Sequence, residues 1–404
     1  MSNFNSTERK IAQFLSSNKE LKESVKYYYQ RLQRLIYNKD EVTNFDFNVK
    51  RISNSKQNCF YGYYDTIPEN ENGNDILYHR LLDSGDEVEI CVYNMKEDRH
   101  ESISTSRAFN FQFGSRLQWI DNHKLIFNSY DSVKDQYGSE LYNILSGKSI
   151  HFENPVLLFK NEIIYSIDFK HLNSLKSEYG YSAHQSTCKN KFPSFGILAL
   201  STVTGFQKEI VSIAEIIMKS GVTFNPNSVH FLNHFLISPN GKFGVFLHRW
   251  QYSEGRFEHC WLIDLSTNQL ELLNMEMTSH YCWISNSELI AFITKSGVTG
   301  YFSIDIHKKT FTPMVGMNKI GSGDGHPSFA AGTIVFDSYP DRKGMQSLFR
   351  LVQNEITLLG KFYSPLHKNP FFRTDLHPRI SKDGHRIYFD SNHESFRGLY
   401  CMTI

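Results

Sequence analysis

The chain has 404 residues, with 43 Lys and Arg against 42 Asp and Glu. That balance excludes the one-signed field that nucleic-acid binding requires, and the length suits a closed ring of repeats as well as it suits two domains. Six scattered cysteines, with no CxxC pair, favour reduced thiols over a disulfide framework. The first ten residues are polar, and no run approaches the roughly eighteen apolar residues of a spanning helix, so the expected location is cytoplasmic.

Residues 8–37 read as one amphipathic helix. Phe14, Leu21, Val25, Tyr28, Leu32 and Leu35 keep alternating spacings of three and four, interrupted by Asn18. Residues 1–40 carry eight basic and four acidic side chains. Such a helix suits an anionic membrane surface or self-association, and the plainer alternative is that its stripe packs on the rest of the chain. The expected division is a basic helix over 1–45 and a second unit over 46–404.

From about residue 48 the pattern changes to period two, with frequent Gly, Asn and Asp turns. Turn spacing suggests repeats beginning near Tyr63, Arg116 and Asn154. An aromatic and polar stretch, 170–192, is too long for a plain connection and reads as an inserted loop. Four later segments then share one pattern of histidine, short strand, polar turn and second strand. They begin at His234, His280, His326 and His377, at intervals of 46, 46 and 51 residues. That period in short strands marks a β-propeller, one four-stranded blade per repeat. The expected fold is all-β, a seven-bladed propeller behind an N-terminal α-helix, with the strand near 48–53 completing the last blade. Four histidines at one equivalent position should then face one shared axial space.

Imidazole is a common ligand of divalent transition metals, so His280, His326 and His377 are candidate ligands. Asp375, two residues before His377 on the same strand face, could add an oxygen. The alternative is that these side chains cap inner strands and bond to neighbouring turns. His234, Asn233, His248 and Arg249 are expected at one rim, where they would offer a base, an amide and a cation. Tyr63 and Tyr64 are candidates for a phenolic donor or a stacking surface, against the plainer reading of core aromatics. Arg116, Arg373 and Arg379 could clamp a carboxylate or form ordinary ion pairs. No Walker loop, GxSxG elbow, HExxH or zinc-ribbon spacing is present, and no helix follows Gly321-Ser-Gly-Asp-Gly, so no nucleotide cofactor is expected.

The segments GYYD (62–65), SRLQW (115–119), HFLNHFLISPNGKFGVFLHRW (230–250), GDGHPSF (323–329), DSYPDRKGMQ (337–346) and DLHPRISKDGHRIYFDS (375–391), with HES (393–395), look like propeller proteins found near bacterial surface-polysaccharide genes. More distantly they resemble oligogalacturonate lyases and ulvan lyases, seven-bladed propellers that act on uronic-acid glycans. The resemblance covers roughly 58–400. It implies that His234 stands at the place of the oligogalacturonate lyase base, and that His280 and His377 match two manganese-ligating histidines. The chain departs from that pattern at Asp375, where the family has a further histidine, and at Phe372, near its glutamine. Against ulvan lyases, Arg249 falls at the charge-neutralising arginine, while Asn233 replaces the acid–base tyrosine. Tyr64 and Tyr181 are left as candidate proton donors.

The resulting expectation is β-elimination on a uronate-containing saccharide. His234, Arg249, Tyr64 and Tyr181 would be catalytic. Arg116, Asn233, Tyr63, His248 and Arg373 would bind an anionic oligo- or polysaccharide. His280, His326, His377 and Asp375 would hold manganese, zinc or calcium. The alternatives are a non-catalytic glycan- or protein-binding platform in capsule or O-antigen assembly, and a transferase or hydrolase acting on lipid-linked sugar.

Overall fold

Short alternating strands separated by tight turns give seven four-stranded antiparallel sheets in the computed structural model, which describes residues 19–36, 47–175, 179–185, 190–252, 255–367 and 373–404. Six sheets are continuous in sequence: strands β2–β5 (Cys59–Ser106), β6–β9 (Gln118–Phe152), β10–β13 (Leu158–Val211), β14–β17 (Val229–Asn274), β18–β21 (Thr278–Pro313) and β22–β25 (Ser328–Tyr363). The seventh takes its three inner strands, β26–β28, from Arg379–Thr403 and its outer strand, β1, from Asn48–Arg51. The fold is thus a seven-bladed β-propeller with a helix, α1 (Lys19–Ile36), before it. The first eighteen residues, part of the expected helix, lie outside the described residues. No described helix is long and apolar enough to cross a membrane.

β1 pairs with β28 in the register Asn48↔Thr403 to Arg51↔Tyr400, so the expected closing strand removes the ring's free edge. The Arg51 guanidinium extends the join by donating to the carbonyls of Asn54, Phe396 and Arg397 and to Tyr400 Oη. Apolar layers fill the space between blades. Leu236, Val245 and Leu247 meet Tyr281, Trp283 and Ile293 between blades four and five. Val335 and Leu348 meet Ile380 and Phe389 between blades six and seven. Each such side chain, taken out of water, contributes about 1.5–3 kcal/mol.

A polar residue at the end of the second strand staples several blades to the next. Asn128 Oδ1 accepts from the Val156 N–H at 2.6 Å. Asp337 accepts from the His377 N–H at 3.1 Å, and Asp390 from the Tyr61 N–H at 3.0 Å. His79 fills this place in blade one, its Nε2 facing the Ser115 N–H at 3.1 Å. Burial drives its pKa down to about 3, well below the unfolded value of about 6.5. The unfolded chain therefore takes up this proton first, so the contribution is complete above pH ~6.5 and is lost as pH falls toward 3. Urea unfolding at pH 5 should show wild type losing about 2 kcal/mol more than His79→Gln, each relative to pH 7. Equal losses would mean that His79 is not buried neutral.

The inner strand of blade one is broken. After Cys59–Phe60, residues 61–68 leave the ladder and return at the Glu69↔Ile76 bridge. Gly62 permits this departure, with φ +134° and a position where a Cβ would stand 2.7 Å from the Phe113 carbonyl oxygen. Tyr63 and Tyr64 are thereby carried to the axis. The expected insertion lies between β11, ending at Ser166, and β12, beginning at Ile197. It contains helix α2 (Phe169–Ser174), capped by Asp168.

Candidate functional site

Three of the four repeat positions at Arg116, His234 and His377 adopt left-handed backbone, with φ of +55°, +55° and +45°. At His234 this falls where the β14–β15 register shifts, and Tyr281 Oη bonds to the His234 carbonyl from the next blade. The kink turns the imidazole out of the ladder and toward the axis. Such backbone is uncommon for non-glycine residues and is often found where side-chain direction serves a site.

The four histidines converge. The His280 and His326 ring centroids lie 4.2 Å apart, His326 and His377 4.3 Å, and His234 and His280 5.9 Å. Tyr63 stands among them, 5.3, 6.4, 6.1 and 4.9 Å from His234, His280, His326 and His377. Ligand-capable atoms of His326, Asp375 and His377 all lie within 4.8 Å of one another. Nδ1 of each of these imidazoles is engaged. In His280 it faces Asp324 at 3.1 Å, in His326 Asp337 at 2.9 Å, and in His377 the Gly62 carbonyl at 2.9 Å. His377 Nε2 and Asp375 Oδ1 are buried without a partner. Tied Nδ1 atoms beside free Nε2 atoms and a carboxylate oxygen are the donor set that holds a divalent cation. The residues therefore fit one.

Charge is unevenly distributed here. Burial lowers the pKa of His377 well below the ordinary histidine value, reinforced by His326 and Arg379. Burial also presses on His326, but Asp337, Asp375 and Asp324 outweigh it and raise that group. Asp375 pays the same desolvation, yet Arg373 and His326 hold its carboxyl below its ordinary value. His234 is driven well down by burial and by the Arg249 charge, so its imidazole is neutral near pH 7. Tyr63 Oη lies 3.0 Å from His234 Nδ1, and His234 Nε2 is buried without a partner. With Nδ1–H donating to Tyr63, Nε2 carries a lone pair available as a base.

The remaining candidates divide. Arg373 reaches Asp375 with two bonds of 3.0 and 2.7 Å and lies over Tyr339. Arg249 faces the same side as His234 but is paired with Glu258 at 2.8 Å. Asn233 is buried with neither amide atom bonded. Tyr64 Oη is taken up by the Tyr281 backbone, which removes it as a ready proton donor.

Other candidates are placed elsewhere. Strand alternation puts His248 on the opposite face of blade four from Arg249, where its Nε2 meets His230 Nδ1 at 2.9 Å. Arg116 is consumed by a bidentate pair with Asp65, both bonds 2.9 Å, and by the Leu157 carbonyl. Tyr181 stacks on Phe169 and accepts from Asn128, as a prop for the insertion. Arg379 bonds to the Gly62 and Tyr63 carbonyls, supporting the broken strand. Phe372 lies outside the described residues.

The sequence reading missed Asp324, Asp337, Tyr339 and Tyr179. Asp337 had a signal, since Phe-Asp-Ser recurs at 336–338 and 389–391 in corresponding strands. Tyr179 comes from the insertion and stands edge-on to His234, with centroids 5.0 Å apart.

Fold and site together define a seven-bladed propeller with an imidazole–carboxylate cluster on its axis. No family model and no curated protein matches the chain. Among solved structures, an oligogalacturonate lyase in complex with manganese is similar, with TM-score 0.62, 13% identity, and 91% of this chain and 96% of that one covered. An oligogalacturonate lyase from Vibrio parahaemolyticus gives TM-score 0.55, 11% identity, and 91% and 99%. The tricorn protease gives TM-score 0.50 and 10% identity, over 90% of this chain and 34% of that one. Likeness at such low identity, to a protease as well as to lyases, establishes the propeller fold.

Proposed function

We propose that the chain is a metal-assisted lyase that cleaves a uronate-containing saccharide by β-elimination. The observation that carries this reading is the axial cluster, in which a neutral, kinked His234 adjoins a separate donor set. A divalent cation held by His280, His326, His377 and Asp375 would neutralise the substrate carboxylate as a Lewis acid. An imidazole-rich set suits manganese or zinc better than calcium, which prefers six to eight oxygens. His234 Nε2 takes the proton α to the carboxylate, and the pair left behind forms the ring double bond as the glycosidic C–O bond breaks. Tyr179, delivered to the mouth beside His234, protonates the departing oxygen. Tyr63 fixes the His234 tautomer. An anionic oligo- or polysaccharide is the proposed partner.

The test is ultraviolet absorbance of a 4,5-unsaturated uronate in a panel of uronate oligosaccharides with manganese or zinc. We expect product from wild type, with His234→Ala and Tyr179→Phe each lowering kcat by about 10²–10⁴-fold and Tyr64→Phe changing it little. Bound cation with no product from any uronate would sink the lyase reading. It would favour the binding platform, for which the specific support is Tyr63 filling the centre of the cluster.

A further inference from the structure

Helix α1 rests on the rim that carries the site, and it rests there by its polar side. The Arg34 guanidinium lies over the Tyr363 ring at 5.5 Å and against Gly344, where a Cβ would stand 2.8 Å from Arg34 Cζ. Gly344 ends the connection that begins beside Tyr339, next to His326. Gln33 Oε1 and Arg34 Nη1 are buried on this side. The opposite side is apolar and open: Val25, Tyr28, Leu32 and Leu35 are 39%, 61%, 53% and 76% exposed. Amphipathic helices normally bury the apolar stripe, so this one is presented to something else.

The sequence indicates what covers it. Written as heptads, the a positions are Ile11, Asn18, Val25 and Leu32, and the d positions Phe14, Leu21, Tyr28 and Leu35. Seven of these eight are apolar, at a strict average spacing of 3.5 over 25 residues. A 3.5 repeat keeps its seam facing a supercoiled partner, whereas an unpartnered helix drifts by about 20° per heptad. The stripe is also narrow, flanked by Lys22, Ser24 and Arg31. A membrane-surface helix instead presents a broad apolar face, and a mid-stripe asparagine would be costly there. In a parallel coil, an asparagine at a single a position meets its own copy and fixes register and strand number.

We infer that the partner is a second copy of this chain, joined through a parallel, in-register two-stranded coiled coil. Because α1 is seated beside Tyr339, the coil brings two propellers together by the rims that carry their axial sites. The helices oppose this with like charge, since residues 19–36 hold five basic and two acidic side chains, so the dimer should tighten as salt rises.

Sedimentation equilibrium of the full chain, over a micromolar concentration series, tests the inference. Wild type is expected at the mass of a dimer, and Leu32→Asp/Leu35→Asp at the mass of a monomer with unchanged propeller unfolding. Oxidised Val25→Cys should run as a covalent dimer, because in-register a positions face each other. A monomeric wild type, or a dimer that survives the double substitution, would overturn the proposal. Monomeric wild type that sediments with phosphatidylcholine–phosphatidylserine vesicles would overturn it too, assigning the stripe to a lipid surface.

Discussion

Removal of residues 1–52 is expected to leave a chain that does not reach the folded state, whereas removal of residues 1–40 should leave the propeller's unfolding transition almost unchanged. The difference is β1. Without it, four ladder positions of β28 lose their partners and Val49 leaves the apolar layer of blades six and seven. Each backbone bond contributes a net 0.5–1.5 kcal/mol, so the loss reaches several kcal/mol against a total of about 5–15. The exposed edge also invites association between chains. A finer probe is Arg51→Ala, which leaves three carbonyls and the Tyr400 hydroxyl without their shared cation. We expect it to cost about 2–4 kcal/mol in urea unfolding. A loss below about 0.5 kcal/mol would show that the join rests on the ladder alone.

The second large effect is on cation binding. Elemental mass spectrometry of wild type dialysed against manganese or zinc should find about one ion per chain, and His377→Ala and Asp375→Asn should find none. At free cation 100-fold above Kd, binding should add about 2.7 kcal/mol to stability, reversed by chelator. Asp337→Asn keeps the four ligand side chains but weakens the acceptor behind His326 Nδ1, and is expected to lower affinity about 10–100-fold. Affinity should rise with pH, because His326, whose pKa is raised by Asp337, Asp375 and Asp324, must give up its proton to become a ligand. Affinity that is flat from pH 6 to 8 would remove His326 from the ligand set. No uptake in wild type would dissolve the site.

The blade count, the closing strand and the convergence of His234, His280, His326 and His377 were legible because equivalent positions in a ring repeat in sequence. What lay off that repeat was not. Tyr63 and Tyr64 reach the axis only because the inner strand of blade one is interrupted, and Gly62 marks that break without saying where the chain goes. Tyr179 arrives from an insertion whose path no period predicts. The expectation for His248 went astray because adjacent residues on a strand face opposite sides, so rim position alone did not place it beside Arg249. Arg116 occupies a repeat position, but its charge answers Asp65, fifty-one residues earlier, and such pairings are set by the closed ring. The Phe-Asp-Ser recurrence could have revealed Asp337 and Asp390 as inter-blade acceptors.

The join between β1 and β28 also bears on the order of events during folding. Its partners, Asn48 and Thr403, precede and follow every other strand position. Inner strands can pair locally as each blade is made, but this contact waits for all seven, at the largest loop-closure cost in the molecule. A nascent or prematurely ended chain would therefore keep an open flank that a finished one lacks. Cellular proteases and chaperones recognise such flanks, so the last hydrogen-bonded ladder to form doubles as a test of completeness, passed only by chains that carry every blade.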